Sequence, residues 1–429
     1  MRFRGSRARI VYTYGLSQGV VFAASAARIT VLISAVGAAG YGLVTAVGAV
    51  APWLLLPSIS VTNIARTRYS ELQGHQDREA ALLTGLVVGT RRFGLTVGVL
   101  GVLLAMLVPW HSVLDTHDVS TTQVRLALAL TGILAGTSVP GAAYLGLLQA
   151  RGRVAVTSTF PAIAAVVSLA GTAVSRALHL PFTSYVLAST FAACGPYWIA
   201  HVTFRRANEV DRASIISTLS SEPLSPGRVF YMTGASAPPL LSTGLDPLVL
   251  ASASNPAAAA GYSLATRLGL LITLVPAALY PTIWSEIAAL RGAGQASALL
   301  AALRANLLKV GGLTGIMAGL YLLVAPTATR LLSREQIAFS WPLALAVVAA
   351  ALISTAQTLV LPLVHGRSAA PFVAAAVYAL VLPNLALSYL LASALGAPGP
   401  LAASVAVGAM LLAWCGWLIR RRPHFLVRT

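Results

Sequence analysis

Residues 38–48 read AAGYGLVTAVG and residues 259–269 read AAGYSLATRLG, with seven of eleven positions identical and Tyr41 paired with Tyr262 at an offset of 221. Cys194-Gly195 and Cys415-Gly416 recur at that same offset. Tyr69-Ser70-Glu71 is echoed by Trp284-Ser285-Glu286, and Gly152-Arg153 by Gly366-Arg367. In an alanine-rich chain one such match carries little weight. Their common order and nearly common offset describe a duplicated half.

Working outward, the 429 residues are 57% hydrophobic and 9% charged, with a mean hydropathy of +0.80, against roughly 25% charged residues in a soluble domain. That balance excludes a soluble enzyme and points to a chain threaded repeatedly through a bilayer. Apolar runs bounded by Arg, Gly or Pro place spans near 10–34, 41–62, 93–112, 124–148, 154–177, 184–204, 229–252, 260–285, 309–329, 341–364, 371–393 and 401–419. Arg2, Arg4, Arg7 and Arg9 resemble a signal-peptide n-region, but the first apolar run is long and lacks a convincing cleavage site, so it reads as a retained helix. The expectation is an all-α polytopic membrane protein of about 12 transmembrane helices in two six-helix bundles, residues 1–204 and 229–429. The Ser-, Pro- and Arg-rich segment 205–228 is read as a cytoplasmic linker. Because six is even, both halves start on the same side, as parallel repeats do.

The net charge of +18 comes from 29 basic residues against 11 acidic ones. With both termini inside, 23 of the basic residues fall in inside segments, four at outer ends, and two, Arg28 and Arg267, within the hydrocarbon region. The basic excess is therefore a topology signal with attraction to anionic membrane lipids, and nucleic acid is not expected as a partner. Cys194 and Cys415 sit in apolar runs as core thiols.

Motifs of soluble catalysis are missing. The single lysine, Lys309, follows Asn306-Leu307-Leu308, so there is no Walker A loop. Gly261-Tyr262-Ser263-Leu264-Ala265 lacks the last glycine of a nucleophile elbow. His111, Asp115, His117 and Asp118 read as a solvated outside loop rather than metal ligands. No enzyme activity, cofactor or metal is expected. A membrane glycosyltransferase, polymerase or ligase would need a sizeable outside loop, and none is present.

Charges inside spans are different, since each costs about 2.5–3.5 kcal/mol at a helix centre on insertion scales and marks a functional site by default. Asp246 either neutralises Arg267 across the outer hairpin or couples transport to an ion. Arg28 either snorkels to the outer surface or, like an Arg267 not paired with Asp246, faces a lumen, where a guanidinium suits bidentate phosphate capture. Gln18, Gln357 and Asn384 serve either as interhelical hydrogen bonds or as the lining of a hydrophilic cavity for sugar hydroxyls. Pro52 and Pro57 in the second span recur as Pro276 and Pro281 in the eighth, with Pro238-Pro239 in the seventh, as kinks about which halves rock. The ladder Gly311, Gly315 and Gly319, echoed by Gly94 and Gly98, predicts close helix packing.

The chain also resembles a known family through GAAGYGL (37–43), LLQARGRV (147–154), LDPLVL (245–250), AGYSLATRL (260–268) and YPTIWSEI (280–287). These motifs are similar to those of the polysaccharide-biosynthesis (O-antigen/oligosaccharide) flippases of the multidrug/oligosaccharidyl-lipid/polysaccharide exporter (MOP) superfamily. The resemblance implies two bundles around a central cavity that alternates between inward- and outward-facing states. It implies export-direction flipping of an undecaprenyl-diphosphate-linked oligosaccharide across a bacterial inner membrane, for polysaccharide biosynthesis, with glycosyltransferase and polymerase partners. In related lipid II flippases, arginines of the first and eighth helices engage the diphosphate, a role that falls by position to Arg28 and Arg267. Coupling to H+ or Na+ falls to Asp246. Relatives commonly follow that acid with a base, whereas here Pro247 follows. The alternative within the superfamily is a cation-coupled multidrug antiporter, whose cavity would be expected to hold acidic residues.

Overall fold

Glycine and proline set where the apolar helices bend and where they touch. The computed structural model describes residues 3–72, 76–114, 119–207, 231, 233–234, 244–292, 295–364 and 370–421. Most of the linker, much of the seventh span, and Asp115, His117, Asp118, Pro238 and Pro239 lie outside them. The helices are α1 (Phe3–Gly48), α2 (Val50–Leu54), α3 (Leu56–Leu72), α4 (Gln76–Leu107), α5 (Trp110–Val113), α6 (Thr121–Ala150), α7 (Val154–Thr157), α8 (Phe160–Ala177) and α9 (Phe182–Ala207). Then follow α10 (Asp246–Ala253), α11 (Pro256–Gly292), α12 (Ala296–Ser333), α13 (Trp341–Val364), α14 (Ala370–Leu395) and α15 (Gly399–Arg421). Among the described residues nine candidate spans are long and apolar enough to cross a membrane. The first of these, Tyr12–Arg66, covers two of the predicted spans, α9 is the sixth predicted span, and the seventh lies mostly outside the described residues, so the chain is an all-α polytopic membrane protein of about twelve membrane helices.

Two compact units divide the chain. One comprises Met1–Val31, Val50–Ser112 and Thr116–Thr233; the other comprises Leu32–Ala49, Val113–Asp115 and Gly234–Thr429. The sequence division at 204/229 assigns residues 32–49 to the first bundle, whereas here they group with the second unit. The break in α1 is at Gly37, whose φ of 71° is the left-handed conformation that glycine adopts at no steric cost.

In the first unit, Ser17 Oγ donates to the Ser158 carbonyl and Arg28 reaches Ser168, so α1 and α8 run parallel. Helices α4 and α6 run antiparallel with backbone against backbone: a Cβ on Gly94 or Gly136 would strike the other helix's main chain, and Gly101 faces Gly132 in the same way. Without a hydrophobic driving force between helices in lipid, such close van der Waals contact is what holds them. Pro140 removes the amide that would bond the Gly136 carbonyl, and Gly94 packs over that carbonyl.

In the second unit the duplicated stretches lie on one another. Gly42 sits under the Pro256 carbonyl, Ser263 Oγ donates to Thr45 Oγ1 at 3.0 Å, and Tyr41 and Tyr262 are both buried. The glycine ladder of α12 corrects the sequence reading. Cβ atoms added to Gly311, Gly315 and Gly319 would meet nothing within 4 Å. The packed face of α12 runs instead through Val310, Thr314, Ala318, Tyr321 and Ala325.

Candidate functional site

Arg28 lies on α1 nine residues before the Gly37 break, about 14 Å along the helix. It does not snorkel: it is 6% exposed, and Nη1 donates to Ser168 Oγ at 2.9 Å. Ser168 in turn donates to the Ala188 carbonyl at 2.6 Å, so one guanidinium ties α1 to the α8–α9 hairpin. Gln18, half-buried on α1, follows Ser17, whose hydroxyl holds the N-terminal half of the same helix to Ser158.

Asp246 opens α10 and is 2% exposed. Its Oδ2 accepts from Tyr262 Oη at 2.5 Å, and as the first residue of the helix it meets the positive end of the α10 dipole. The partner is thus the tyrosine of the repeated AAGY motif and not Arg267. The signal for Tyr262 was in the sequence, where the repeat marked it as a place for alignment rather than for chemistry. Arg267 stands exposed farther along α11, about 16 Å from the start of that helix.

Gln357 and Asn384 are both buried, on α13 and α14. Gln357 Nε2 donates to the Gly408 carbonyl at 3.4 Å, an approach that Gly408 allows because it carries no side chain. Gln357 Oε1, Thr355 Oγ1, Ser388 Oγ and Ser404 Oγ are buried with no partner in the structure. The first unit holds such atoms too, among them Ser58 Oγ and Trp198 Nε1. Helix α10, which carries Asp246, packs against α11, α14 and α15. Ser388 and Ser404 escaped the sequence reading because serine is common in membrane helices as a packing residue. The legible hint was that Ser388 follows Asn384 by one helical turn. Among the described residues no group of three His, Cys, Asp or Glu side chains forms.

The predicted residues therefore divide between the units: Gln18 and Arg28 in the first, and Asp246, Arg267, Gln357 and Asn384 in the second. No protein-family model matches the chain, and no curated protein matches it in sequence. Solved structures do match in fold. An outward-facing multidrug resistance MATE family transporter of the MOP superfamily aligns with a TM-score of 0.66 at 13% identity, covering 99% of this chain and 96% of its own. The chain has the fold of the MOP superfamily. The lipid II flippase MurJ in an inward closed conformation aligns with a TM-score of 0.64 at 13% identity, covering 95% of this chain and 87% of that one. A point mutant of the Vibrio cholerae MATE transporter VcmN aligns with a TM-score of 0.57 at 16% identity, covering 98% of each chain. At these identities the likeness establishes the architecture of this MOP-fold membrane protein.

Proposed function

We propose that this MOP-fold protein is an alternating-access flippase. Its cargo is an undecaprenyl-diphosphate-linked oligosaccharide, carried across the bacterial cytoplasmic membrane for polysaccharide biosynthesis, with both termini cytoplasmic. The observation that carries this reading is Arg267, exposed on a membrane helix while the acid expected to neutralise it is bonded to Tyr262. An arginine in that setting is tolerated where it faces a polar path, and guanidinium geometry fits phosphate oxygens. Arg28, buried and anchored by Ser168, supplies a second cation within the first predicted span. A diphosphate cannot cross hydrocarbon unshielded, whereas its polyprenyl tail can remain in lipid. Gln18, Gln357 and Asn384 are assigned to sugar hydroxyls. Asp246, with the orphaned oxygens of the second unit, is assigned to a coupling H+ or Na+. Glycosyltransferases that build the oligosaccharide and a polymerase that consumes it are the expected partners.

The burial of Asp246 also favours a second reading, a cation-coupled antiporter for drugs or other small molecules, and solved MATE transporters share the fold. Proteoliposomes holding a fluorescent polyprenyl-diphosphate oligosaccharide separate the two. Translocation by the wild type that is lost in Arg28→Ala and Arg267→Ala, with folding intact, supports the flippase. A wild type that moves no lipid-linked sugar and exchanges cationic dyes for protons replaces it with the antiporter.

A further inference from the structure

Helices α3, α6 and α9 of the first unit each carry a proline, and the contacts between them put the three prolines at one level. Gly141 packs on the Tyr197 carbonyl, so Pro140 of α6 lies level with Pro196 of α9. Thr62 Oγ1 donates to the Ala142 carbonyl at 3.0 Å, which brings Pro57 to the same level on α3. Pro140 and Pro196, inside their helices, each leave a carbonyl of the preceding turn without its helical amide, Pro57 follows the break between α2 and α3, and the three side by side make a plane about which the inner helix ends can bend.

One turn inside that plane stands His201. Its ring meets Tyr144 edge-on at 5.1 Å between centroids and Trp198 at 6.4 Å, with interplanar angles of 63° and 71°. Tyr144 also stacks on Phe204 at 4.6 Å, and the Arg151 guanidinium lies 5.4 Å over the Phe204 ring. The groups around the imidazole are thus Tyr144 and Arg151 from α6 and Tyr197, Trp198 and Phe204 from α9. Val61 and Ala65 of α3 and Phe160 of α8 complete the cluster as apolar walls, and Arg66 of α3 bonds Asn63. Among the described residues no carboxylate joins this group.

We propose that His201 is a proton-binding site, and that taking up a proton there resets the packing of the inner ends of α6 and α9 about the proline level. Histidine changes charge between about pH 5 and 8, and aromatic rings receive the imidazolium through cation–π contact. The repeat supports the assignment. The offset of 221 that pairs Cys194 with Cys415 pairs His201 with Arg422, so one half has a titratable group where the other has a permanent cation.

The site rests on geometry alone, and only its coupling to transport rests on the flippase reading, so the test uses two readouts that need no substrate. Purified full-length protein in nanodiscs is titrated from pH 8 to pH 5 while tryptophan emission is followed, since imidazolium quenches a neighbouring indole. The expected result is a drop in emission that disappears in His201→Gln and in Trp198→Phe. Spin labels at Arg153→Cys and Val202→Cys, with Cys194 and Cys415 replaced by alanine, then report the distance between the α6–α7 turn and α9. That distance is expected to shift with pH in the otherwise unaltered protein, to stay fixed in His201→Gln, and to rest at its low-pH value in His201→Arg. Emission independent of pH, or a quench that survives His201→Gln, overturns the site. A quench without any shift in distance overturns its link to helix packing. A wild type that fails to move lipid-linked sugar overturns the flippase reading and leaves both readouts standing.

Discussion

Helix α4 of the first unit and its repeat counterpart α12 of the second both carry glycines three to four residues apart, yet only one set is a contact. On α4, Gly94 and Gly101 fall on the face that holds Thr90, Val97 and Ala105, and they meet the backbone of α6. On α12 the ladder is displaced by one residue from the packed face, among exposed Leu308, Ile316, Leu320 and Leu323. One residue is about 100° around a helix, enough to turn a glycine row from a partner to open surroundings. The lesson is that spacing identifies a stripe and says nothing of what lies opposite it. A second contrast follows the chemistry: the first unit gathers aromatics and a histidine toward the C-terminal ends of α6 and α9, whereas the second holds a buried acid, Asp246, bonded to a buried tyrosine.

Six substitutions test these contrasts. The largest effect is expected at the glycine seam. Gly136→Leu forces side-chain atoms into the Gly94 carbonyl and the Gly98 backbone and should cost more than about 3 kcal/mol, whereas Gly315→Leu should stay within about 0.5 kcal/mol. Thermal unfolding in detergent reads both, and equal losses would remove the distinction. Next, Arg267→Ala should slow translocation by tenfold or more, since a charge-assisted contact is worth about 1.5–3 kcal/mol. Loss of stability without loss of rate would mark Arg267 as structural.

Tyr262→Phe takes away the hydrogen bond to a buried carboxylate and should destabilise by about 1–3 kcal/mol. Asp246→Asn in the same background should recover part of that loss, because a neutral amide needs less from its surroundings; additive losses would show that the two residues are not coupled. Smallest of all, Ser404→Ala removes a hydroxyl with no partner to lose, so stability should change by less than about 0.5 kcal/mol. A change in the ion dependence of transport at unchanged stability would place Ser404 in the coupling site, and a loss near 1–2 kcal/mol would instead expose a hidden structural bond.

Much of the fold was readable before any coordinates. Helix count followed from apolar runs, because a bilayer demands about twenty such residues per crossing. The candidate site residues were readable only as types. Arg28, Asp246 and Arg267 announced themselves as charges in hydrocarbon, but whether each was paired, anchored or exposed depended on neighbours far away in sequence. Ser168 is 140 residues from Arg28, and nothing local to either predicts their bond. His201 passed unnoticed because a single histidine near a helix end reads as interfacial until its aromatic neighbours are seen.

What the sequence determined by itself was the solvent of each segment and the duplication of the chain. Hydropathy acts residue by residue, and a repeat is visible wherever identities survive. Tertiary structure alone decided which glycines touch, that Tyr262 rather than Arg267 answers Asp246, and that three prolines share one level. Those outcomes turn on angstrom-scale register between helices, and that register is the sum of many weak contacts, none of which is written in any single stretch of the chain.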